Sequence, residues 1–541
     1  MPKMKPTRRS FIGSAAVVGA TTVSQAALGG LSSSGQSAIG GPNSASSSSD
    51  EQPLPVTIRV AAGRPIHTMR GGMGASFHAI SATLPGMRPG GGSYSGSAWG
   101  GNPDAGDDKH WQEIFKHAEW LGLDWCRVEI EQRIYESDRR VFDWDNDEMK
   151  VLYRILDWAE RRNVDVFLQQ MWSDVAWNAY PGNADDPISR LRSAPYSIPE
   201  WAFGLGELLN HLTQVKGYKC IRWVSISNEP GHDDFSWWQD SKMKALPITP
   251  GLKAAREEFD RRGLAVPISG PDWTDLPELN PSQVDFDAYI GAYDLHSYSA
   301  VFDSMGGGTK LTASEKILSQ WAEWAHARNK PLFLSEFGTM AYGWGHIDAA
   351  PACYQSGLQN ASLVVRAINA GVDGFNRWSF TNRGDLDGQW QLLRTWDVDH
   401  DRLLESFSPQ PNAYYQYAMF TRYLPKYSDV LATQVEGPYL ACDRKLVAAA
   451  LRTPKGNYTL LLVNESHRAA DVRFEFKDLP AALRLHRYSL TKETEDRSKV
   501  DLRSDRALDV SESFTDRVPP MSIVVYSTYD LIADEPGIIA E

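Results

Sequence analysis

The stretch "WVSISNEPGHDDF" (residues 223–235) places a carboxylate at the end of a run that suits a buried β-strand. Trp223, Val224 and Ile226 are aromatic or apolar, which is typical of a strand covered on both faces. The Pro-Gly pair that follows ends such a strand and turns the chain. Glu229 therefore stands at a strand end, where it faces partial desolvation. A catalytic carboxylate needs such a position, whereas a surface carboxylate does not.

Seven other apolar runs of strand length lie on either side of the run at residues 221–227. They fall within residues 73–80, 124–130, 164–170, 266–271, 293–298, 331–337 and 372–380. Amphipathic segments with helical spacing lie between them, for example at residues 109–122, 147–163 and 315–330. Eight strands with intervening helices predict a parallel sheet, and eight strands close a (β/α)8 TIM barrel. A doubly wound open sheet is the alternative, but no G-x-G-x-x-G follows the first strand.

The pattern changes after residues 411–429, which we interpret as the last barrel helix. Beyond them lie strand-like runs joined by turns, with no long helix between them, at residues 445–466, 471–476, 483–490 and 522–529. This pattern predicts a small C-terminal antiparallel β-sandwich, to which residues 55–63 could add a strand. The sequence thus predicts a catalytic barrel at residues 54–424 and a β-sandwich domain at residues 425–541.

The N-terminus resembles a bacterial twin-arginine export signal over residues 1–29. Arg8 and Arg9 precede Ser-Phe-Ile and a mildly apolar stretch, and small residues surround Ala26. The alternative is a chance pair of arginines before an ordinary apolar segment. The stretch is too short and too rich in small residues to span a membrane. Residues 30–53 are rich in Ser and Gly and predict a flexible linker. We expect export to the periplasm or the medium, without membrane insertion.

Composition excludes several other classes of partner and chemistry. The 541 residues carry a net charge of −13, which argues against a nucleic acid or an anionic membrane as partner. The four cysteines stand singly, without a CxxC pair or zinc-ligand spacing. No His-x-His lies near the first strand and no G-x-S-x-G is present. We therefore expect no metal and no other cofactor, and the oligomeric state stays open.

Polar and aromatic residues cluster at the predicted strand ends, where the active sites of such barrels lie. Glu229 follows the fourth strand and Glu336 ends the seventh. Hydrolysis of a glycosidic bond needs two such groups, one carboxylic acid to protonate the leaving oxygen and one carboxylate on the other face of the sugar. Arg127 could keep a neighbouring carboxylate ionised. The remaining candidates at strand ends are His78, Gln170, Asn228, Asp272, His296, Tyr298 and Trp378.

Five of these motifs, in this order, resemble glycoside hydrolase clan A, the retaining (β/α)8 glycosidases that include families 5, 30 and 39. They are "WCRVEI", "NEP", "DLHSYS", "FLSEFG" and "RWSF", which together span roughly residues 71–424. The resemblance implies that Glu229 is the acid/base, Glu336 the nucleophile and Tyr298 its hydrogen-bond partner. It also implies that Asn228 holds the sugar 2-hydroxyl and that Trp378 floors the sugar site. Family 5 usually has a histidine where this chain has Gln170.

The leading hypothesis is a secreted retaining glycoside hydrolase that cleaves β-glycosidic bonds of an oligo- or polysaccharide. His78, Arg127 and His296 would help to bind the substrate. Tryptophans in or beside the strand-end loops are candidates for stacking on sugar rings, among them Trp172, Trp237, Trp238, Trp344 and Trp390. Two alternatives remain open, a catalytically silent carbohydrate-binding protein on the same scaffold and a metal-dependent hydrolase.

Overall fold

The computed structural model describes residues 52–79, 102–230, 237–239, 246–274, 276–298, 309–339, 351–381, 390–397, 402–437, 446–495 and 500–540. The predicted export signal at residues 1–29 and almost all of the predicted linker at residues 30–53 lie outside these ranges. Among the helices in these ranges, none has the length and apolar character needed to cross a bilayer.

Eight parallel strands form the central sheet, after a first strand, β1 (Leu54–Met69), that pairs elsewhere. They are β2 (Gly72–His78), β3 (Trp125–Glu131), β4 (Asp165–Trp172), β5 (Ile221–Ser225), β6 (Ser269–Trp273), β7 (Ala292–Ser297), β8 (Leu332–Phe337) and β9 (Gly374–Arg377). Their order is β5-β4-β3-β2-β9-β8-β7-β6. The two ends of this row meet where the Val224 N–H donates to Pro267 O at 3.1 Å. The predicted (β/α)8 barrel is confirmed, and each predicted run overlaps one strand.

Helices connect these strands and cover the outside of the barrel. The longer ones are α1 (Asp108–Leu121), α3 (Asp147–Arg162), α5 (Ile198–Asn210), α6 (Thr249–Arg262), α7 (Thr309–His326) and α8 (Tyr354–Ala370), and the short ones here are α2 (Gln132–Tyr135) and α4 (Pro187–Arg192). Local sequence sets their ends: the Asn146 side chain caps α3 by accepting from the Met149 N–H at 2.9 Å, and α3 stops at Asn163 with φ 55°.

Aromatic side chains fill the part of the barrel near the amino ends of its strands. Trp125, Phe167, Phe333 and Ala292 pack together and are fully buried, with Trp223 against them. The Trp125 and Phe333 rings lie 5.0 Å apart between centroids. In a parallel barrel, side chains fill the interior in layers. This apolar layer therefore lies directly beneath the polar residues that follow it along each strand.

The chain then forms a hairpin, β10 (Leu393–Asp397) with β11 (Arg402–Pro409), and the last barrel helix, α9 (Tyr414–Thr421). The helix predicted for residues 411–429 is thus shorter than expected. Pro425 lacks the N–H that a continuing helix needs, and a new strand begins at Ser428.

A nine-stranded sheet makes up the C-terminal region. After β1 it contains β12 (Ser428–Glu436), β13 (Leu446–Arg452), β14 (Tyr458–Asn464), β15 (Ala470–Lys477), β16 (Leu483–Thr491), β17 (Arg506–Val510), β18 (Ser513–Val518) and β19 (Ser522–Ser527), and the short α10 (Lys492–Glu495) follows β16. β1 lies between β12 and β15, so residues 54–69 belong to this sheet and not to the barrel. The strand that residues 55–63 indicated is therefore present, and the barrel itself begins near residue 72.

The sheet curls so that its two ends enclose their own core. Phe474 and Phe514 of one end pack on Tyr526 near the other end, with ring centroids 5.2 and 5.3 Å away. The outer face of the sheet packs on α8 and α9, where Asn369 Nδ2 donates to Ala448 O at 2.9 Å. Leu54–Glu541 accordingly form one compact unit.

Candidate active site

The barrel brings the predicted site residues to one end because parallel strands present their carboxyl ends on one face. Arg127 lies on β3, His296 on β7 and Glu336 on β8, while Tyr298 and Trp378 directly follow β7 and β9. Glu229 lies four residues beyond the end of β5. All six side chains are buried or nearly so.

Two donors hold the Glu336 carboxylate, one on each oxygen. Arg127 Nη1 contacts Oε2, and the Tyr298 hydroxyl donates to Oε1 at 2.5 Å. Burial and then the Glu336 charge raise the pKa of Tyr298 well above its usual value, so this hydroxyl stays a donor. Burial would lower the pKa of Arg127, but Glu336 and Glu129 outweigh it and raise that pKa. Glu336 is therefore held as a carboxylate between a cation and a phenol.

Glu229 has a different environment. Its side chain is buried to 3 % exposure, and its backbone is in the left-handed region with φ 46°, which few residues other than glycine adopt. His296 Nδ1 lies 2.6 Å from Glu229 Oε1. Burial raises the pKa of Glu229, His296 opposes that rise, and Glu336 adds to it. Burial thus favours the protonated form of Glu229.

Asp272, at the end of β6, fixes both the backbone and the side chain of Glu229. Its Oδ1 lies 2.9 Å from His296 Nε2, and its Oδ2 accepts from the Glu229 N–H at 3.4 Å and from Gln169 Nε2 at 2.7 Å. Burial would lower the pKa of His296, but the charges of Glu336 and Asp272 and the hydrogen bonds to Asp272 and Glu229 outweigh it and raise that pKa well above its usual value. His296 therefore acts as a cation between two carboxyl groups.

The two glutamates lie close together. Ligand atoms of Glu229, His296 and Glu336 are all within 4.8 Å of one another, a set that could in principle bind a metal ion. Arg127 contacts Glu336 directly, so a metal ion there would have to overcome the repulsion of a buried guanidinium. The arrangement therefore suits two carboxyl groups that react with a substrate atom between them better than it suits a metal site.

His78 and Trp378 lie on the other side of Arg127. The His78 ring meets the Trp378 ring edge to face at 5.4 Å, and the Arg127 guanidinium lies 5.8 Å from the Trp378 ring centre. His78 Nδ1 is 2.7 Å from Glu129 Oε2, and Glu129 Oε1 is 3.0 Å from Arg127 Nη1. These four side chains form a buried wall beside the two glutamates.

Asn228 also reaches the site, since its Oδ1 accepts from Arg127 Nη2 at 2.8 Å. Trp172 lies at the end of β4 opposite Glu131, buried, and its indole N–H has no hydrogen-bond partner among the described residues. Among the described residues, Gln170 makes no contact with Glu229 or Glu336. Its Oε1 accepts from the Tyr135 hydroxyl at 2.7 Å instead.

The loop tryptophans that the structure describes lie in different environments. Trp237 packs edge to face on Trp201 at 5.5 Å, and Trp238 lies 4.9 Å from the Arg192 guanidinium. Both are buried, which indicates packing. Trp390 lies edge to face with Tyr298 at 5.5 Å and so borders the site, whereas Trp344 falls outside the described residues.

Sequence reasoning gave no role to Glu129, Gln169 or Asp272. Glu129 has a signal, because Arg127, Glu129 and Glu131 alternate along β3 and must share one side of the strand. Asp272 was visible as a residue at a strand end. Its partners on β4, β5 and β7 depend on strand order, which the sequence does not state.

Three solved structures with a similar fold share little sequence with the chain. A GH30 endoxylanase from Clostridium papyrosolvens matches with TM-score 0.58 at 14% identity, over 87% of this chain and 99% of that one. A conserved exported protein from Bacteroides fragilis matches with TM-score 0.61 at 12% identity, over 87% and 100%. An α-L-arabinofuranosidase from Thermotoga maritima matches with TM-score 0.54 at 12% identity, over 88% and 100%. At such identities the likeness concerns the fold.

No curated protein matches the sequence significantly. The family model described as cellulase, glycosyl hydrolase family 5, matches residues 86–383, more than half of the chain, and this span includes both Glu229 and Glu336. The chain is therefore a clan A glycoside hydrolase with a carbohydrate substrate, and it belongs to glycosyl hydrolase family 5.

Proposed function

We propose that the protein is an exported retaining glycosidase that cleaves β-glycosidic bonds of an oligo- or polysaccharide by double displacement. Glu336 is the nucleophile and Glu229 the acid/base. Arg127, Asn228, His296, Tyr298, Trp378, His78 and Trp172 bind the substrate or orient the two glutamates.

The separation of the two carboxyl groups carries this proposal. One carboxyl oxygen of Glu229 and one of Glu336 lie within 4.8 Å of each other. Retaining enzymes place their carboxyl groups about 5–5.5 Å apart, whereas inverting enzymes leave about 6.5–9.5 Å for a water molecule. The environments also support two roles, because Glu336 contacts Arg127 and Tyr298 while burial raises the pKa of Glu229.

In the first step, Glu336 Oε2 or Oε1 attacks the anomeric carbon while the bond from that carbon to the leaving oxygen breaks. The Glu229 proton passes to the leaving oxygen, so Glu336 becomes a neutral ester and Glu229 a carboxylate. His296, whose pKa is raised, is a cation 2.6 Å from Glu229 and stabilises the new charge.

In the second step, Glu229 removes a proton from a water molecule that attacks the same carbon. The bond from the anomeric carbon to Glu336 breaks, and its electron pair restores the Glu336 carboxylate. Arg127 and Tyr298 are placed to stabilise that returning charge. Two inversions at one carbon leave the product with the configuration of the substrate.

The test is the configuration of the first sugar released. Purified protein is screened on β-linked polysaccharides and aryl β-glycosides, and proton NMR then follows the anomeric signal of the first product before it mutarotates. The β-anomer should appear first. An α-anomer would show an inverting mechanism, and binding without turnover of any member would favour the catalytically silent alternative.

Export is the part of the proposal that rests on sequence. The Arg8-Arg9 pair and the apolar stretch after it support it, and one protein of similar fold is described as exported. Replacing both arginines with lysine should leave the protein in the cytoplasm of the producing cell, and normal export of that variant would contradict the route.

A further inference from the structure

Glu129 shares the cation that holds the proposed nucleophile. Arg127 Nη1 contacts Glu336 Oε2, and the same nitrogen lies 3.0 Å from Glu129 Oε1. Arg127 is fully buried and Glu129 is 2 % exposed. Two buried carboxylates therefore contact the same guanidinium nitrogen.

The rest of the Arg127 environment supplies no other carboxylate in direct contact among the described residues. Its Nη2 donates to Asn228 Oδ1 at 2.8 Å, and its backbone N–H donates to Asn376 Oδ1 at 3.2 Å. Asp272 acts on Arg127 through its charge, without direct contact among the described residues. Glu129 is thus the second direct counter-ion of Arg127.

Glu129 is also held in place from the other side. Its Oε2 lies 2.7 Å from His78 Nδ1, and the His78 ring packs edge to face on Trp378. β2 and β3 pair in register at this point, with His78 beside Glu129. Strand pairing and ring packing therefore fix the carboxylate on Arg127 whether or not Glu336 is charged.

The charge of Glu336 changes during the proposed reaction, which gives Glu129 its importance. When Glu336 bonds to the anomeric carbon, the proton of Glu229 leaves with the departing oxygen, so the negative charge moves from Glu336 to Glu229. Glu229 faces His296, not Arg127. A buried guanidinium that lost its last direct carboxylate would be strongly destabilised.

We propose that Glu129 is a positioning residue that keeps Arg127 neutralised in the glycosyl-enzyme and so balances the two half-reactions. This inference rests on the proposed retaining mechanism. With Glu129 present, the free carboxylate of Glu336 and its sugar ester are both acceptable neighbours of Arg127. Without the Glu129 charge, Arg127 would favour the free carboxylate over the ester. Formation of the ester would then slow, and its breakdown would accelerate.

The experiment measures the two half-reactions separately in Glu129→Gln, which keeps the shape of the side chain and removes its charge. The probes are dinitrophenyl 2-deoxy-2-fluoro-β-D-glucoside, β-cellobioside and β-xylobioside. Inactivation of the enzyme reports formation of the ester, and recovery of activity after removal of the probe reports its hydrolysis. We expect inactivation to slow about tenfold and recovery to accelerate several-fold, because a lost buried charge acts in opposite directions on the two steps.

Two variants separate this role from a structural one. Glu129→Asp keeps the charge and should move the ratio of the two rate constants back toward wild type. Glu131→Gln controls for the change of side chain, since Glu131 lies on the same side of β3 but contacts Arg133, and it should leave the ratio unchanged. Circular dichroism and thermal unfolding confirm that each variant is folded.

The possible outcomes are distinct. If Glu129→Gln slows both steps equally, or changes neither, Glu129 has no balancing role although the retaining mechanism stands. If Glu129→Asp folds but behaves like Glu129→Gln, shape rather than charge matters and the inference is wrong. If wild type releases the inverted anomer as its first product, the retaining mechanism fails and the inference fails with it.

Discussion

Two buried charge clusters lie at opposite ends of the barrel. At the carboxyl ends of the strands, Glu229 and Glu336 share their site with Arg127 and His296. At the amino ends, Asp124 and Asp165 surround Lys426, whose Nζ lies 2.9 Å from Asp165 Oδ1. In each cluster burial raises the pKa of one carboxyl group, that of Glu229 above and that of Asp124 to about 7 below.

The clusters differ in what their charged atoms contact. Asp124 Oδ2 accepts from the Lys426 backbone N–H, and Lys426 Nζ also donates to Asn163 O at 2.8 Å. That cluster ties the chain after α9 to the start of β3 and β4. In the cluster at the carboxyl ends, Glu336 contacts Arg127 and Tyr298, and Glu229 contacts His296. A raised pKa therefore does not mark function by itself; a position at the carboxyl ends of the barrel strands must accompany it.

The largest effect should come from removing either glutamate of the upper cluster. Glu336→Ala should lose at least about 10⁴-fold in kcat/KM on every substrate, because no nucleophile remains. Glu229→Ala should lose about 10³-fold on substrates with poor leaving groups and far less on dinitrophenyl glycosides, which need little protonation. Steady-state kinetics on a series of aryl glycosides measures the difference.

Azide provides the control for these two assignments. It should partly rescue Glu229→Ala and give a β-glycosyl azide, since azide attacks the glycosyl-enzyme without needing a base. With Glu336→Ala it should give the α-azide by direct attack. Products of the opposite configurations would mean that the two roles are exchanged.

Replacing the cation of the lower cluster should cost stability and leave catalysis unchanged. Lys426 is 2 % exposed, so Lys426→Met leaves the buried Asp124 and the partly buried Asp165 without their cation. We expect the free energy of unfolding to fall by about 3–5 kcal/mol. Urea unfolding measures it, and kcat per folded molecule should equal that of wild type.

Lys150 is the matched control, because its ion pair with Asp145 is exposed to solvent, with a distance of 3.6 Å. Lys150→Met should change the free energy of unfolding by less than about 0.5 kcal/mol. Equal effects for the two lysines, or a lowered kcat in Lys426→Met, would contradict the separation between the two ends of the barrel.

Removing the Asp124 carboxyl group, whose pKa is raised, should increase the free energy of unfolding, whereas Lys426→Met should decrease it. Burial raises the pKa of Asp124 from 3.8 to about 7, so its contribution to stability is fully present below pH 3.8 and is lost as pH rises through 7. Asp124→Asn should abolish that loss. At pH 8 we expect it to raise the free energy of unfolding by about 2 kcal/mol, roughly half of what the shift implies, because an amide is a weaker acceptor for the Lys426 N–H.

The measurement is urea unfolding between pH 4 and pH 8, compared with wild type. The difference between the two proteins should be small at pH 4 and grow as pH rises. A constant difference across this range would mean that Asp124 does not titrate in the folded protein.

The sequence predicted the barrel well because buried parallel strands read as continuous apolar runs with polar residues at their ends. The same pattern indicated Glu229 and Glu336 as candidates, and the barrel brings these two glutamates close together. β1 was harder to place, because its partners, β12 and β15, lie more than 350 residues away along the chain. Trp237 and Trp238 looked like loop residues, and only packing showed that they are buried.

The sequence did not predict the links among the site residues. Asp272 joins His296 to the Glu229 backbone, and Glu129 joins Arg127 to His78. Each link crosses between strands that are neighbours only in the folded barrel. Alternation along one strand shows which side a residue faces, but not which charge it will meet.

The smallest effect should come from Asp272, which acts on Glu229 through His296. In Asp272→Asn the imidazolium loses a carboxylate 2.9 Å from Nε2, so the pKa of His296 should fall toward its usual value. A neutral His296 no longer favours the charged form of Glu229, so the pKa of Glu229 should rise further. The basic limb of kcat/KM, which reports loss of the Glu229 proton, should then move up by about one pH unit while kcat falls about tenfold.

Asp294→Asn is the control, because burial already raises the pKa of Asp294 to about 8 and an amide there removes little charge at neutral pH. An unchanged basic limb in Asp272→Asn, or an equal shift in Asp294→Asn, would show that His296 does not transmit the charge of Asp272 to Glu229.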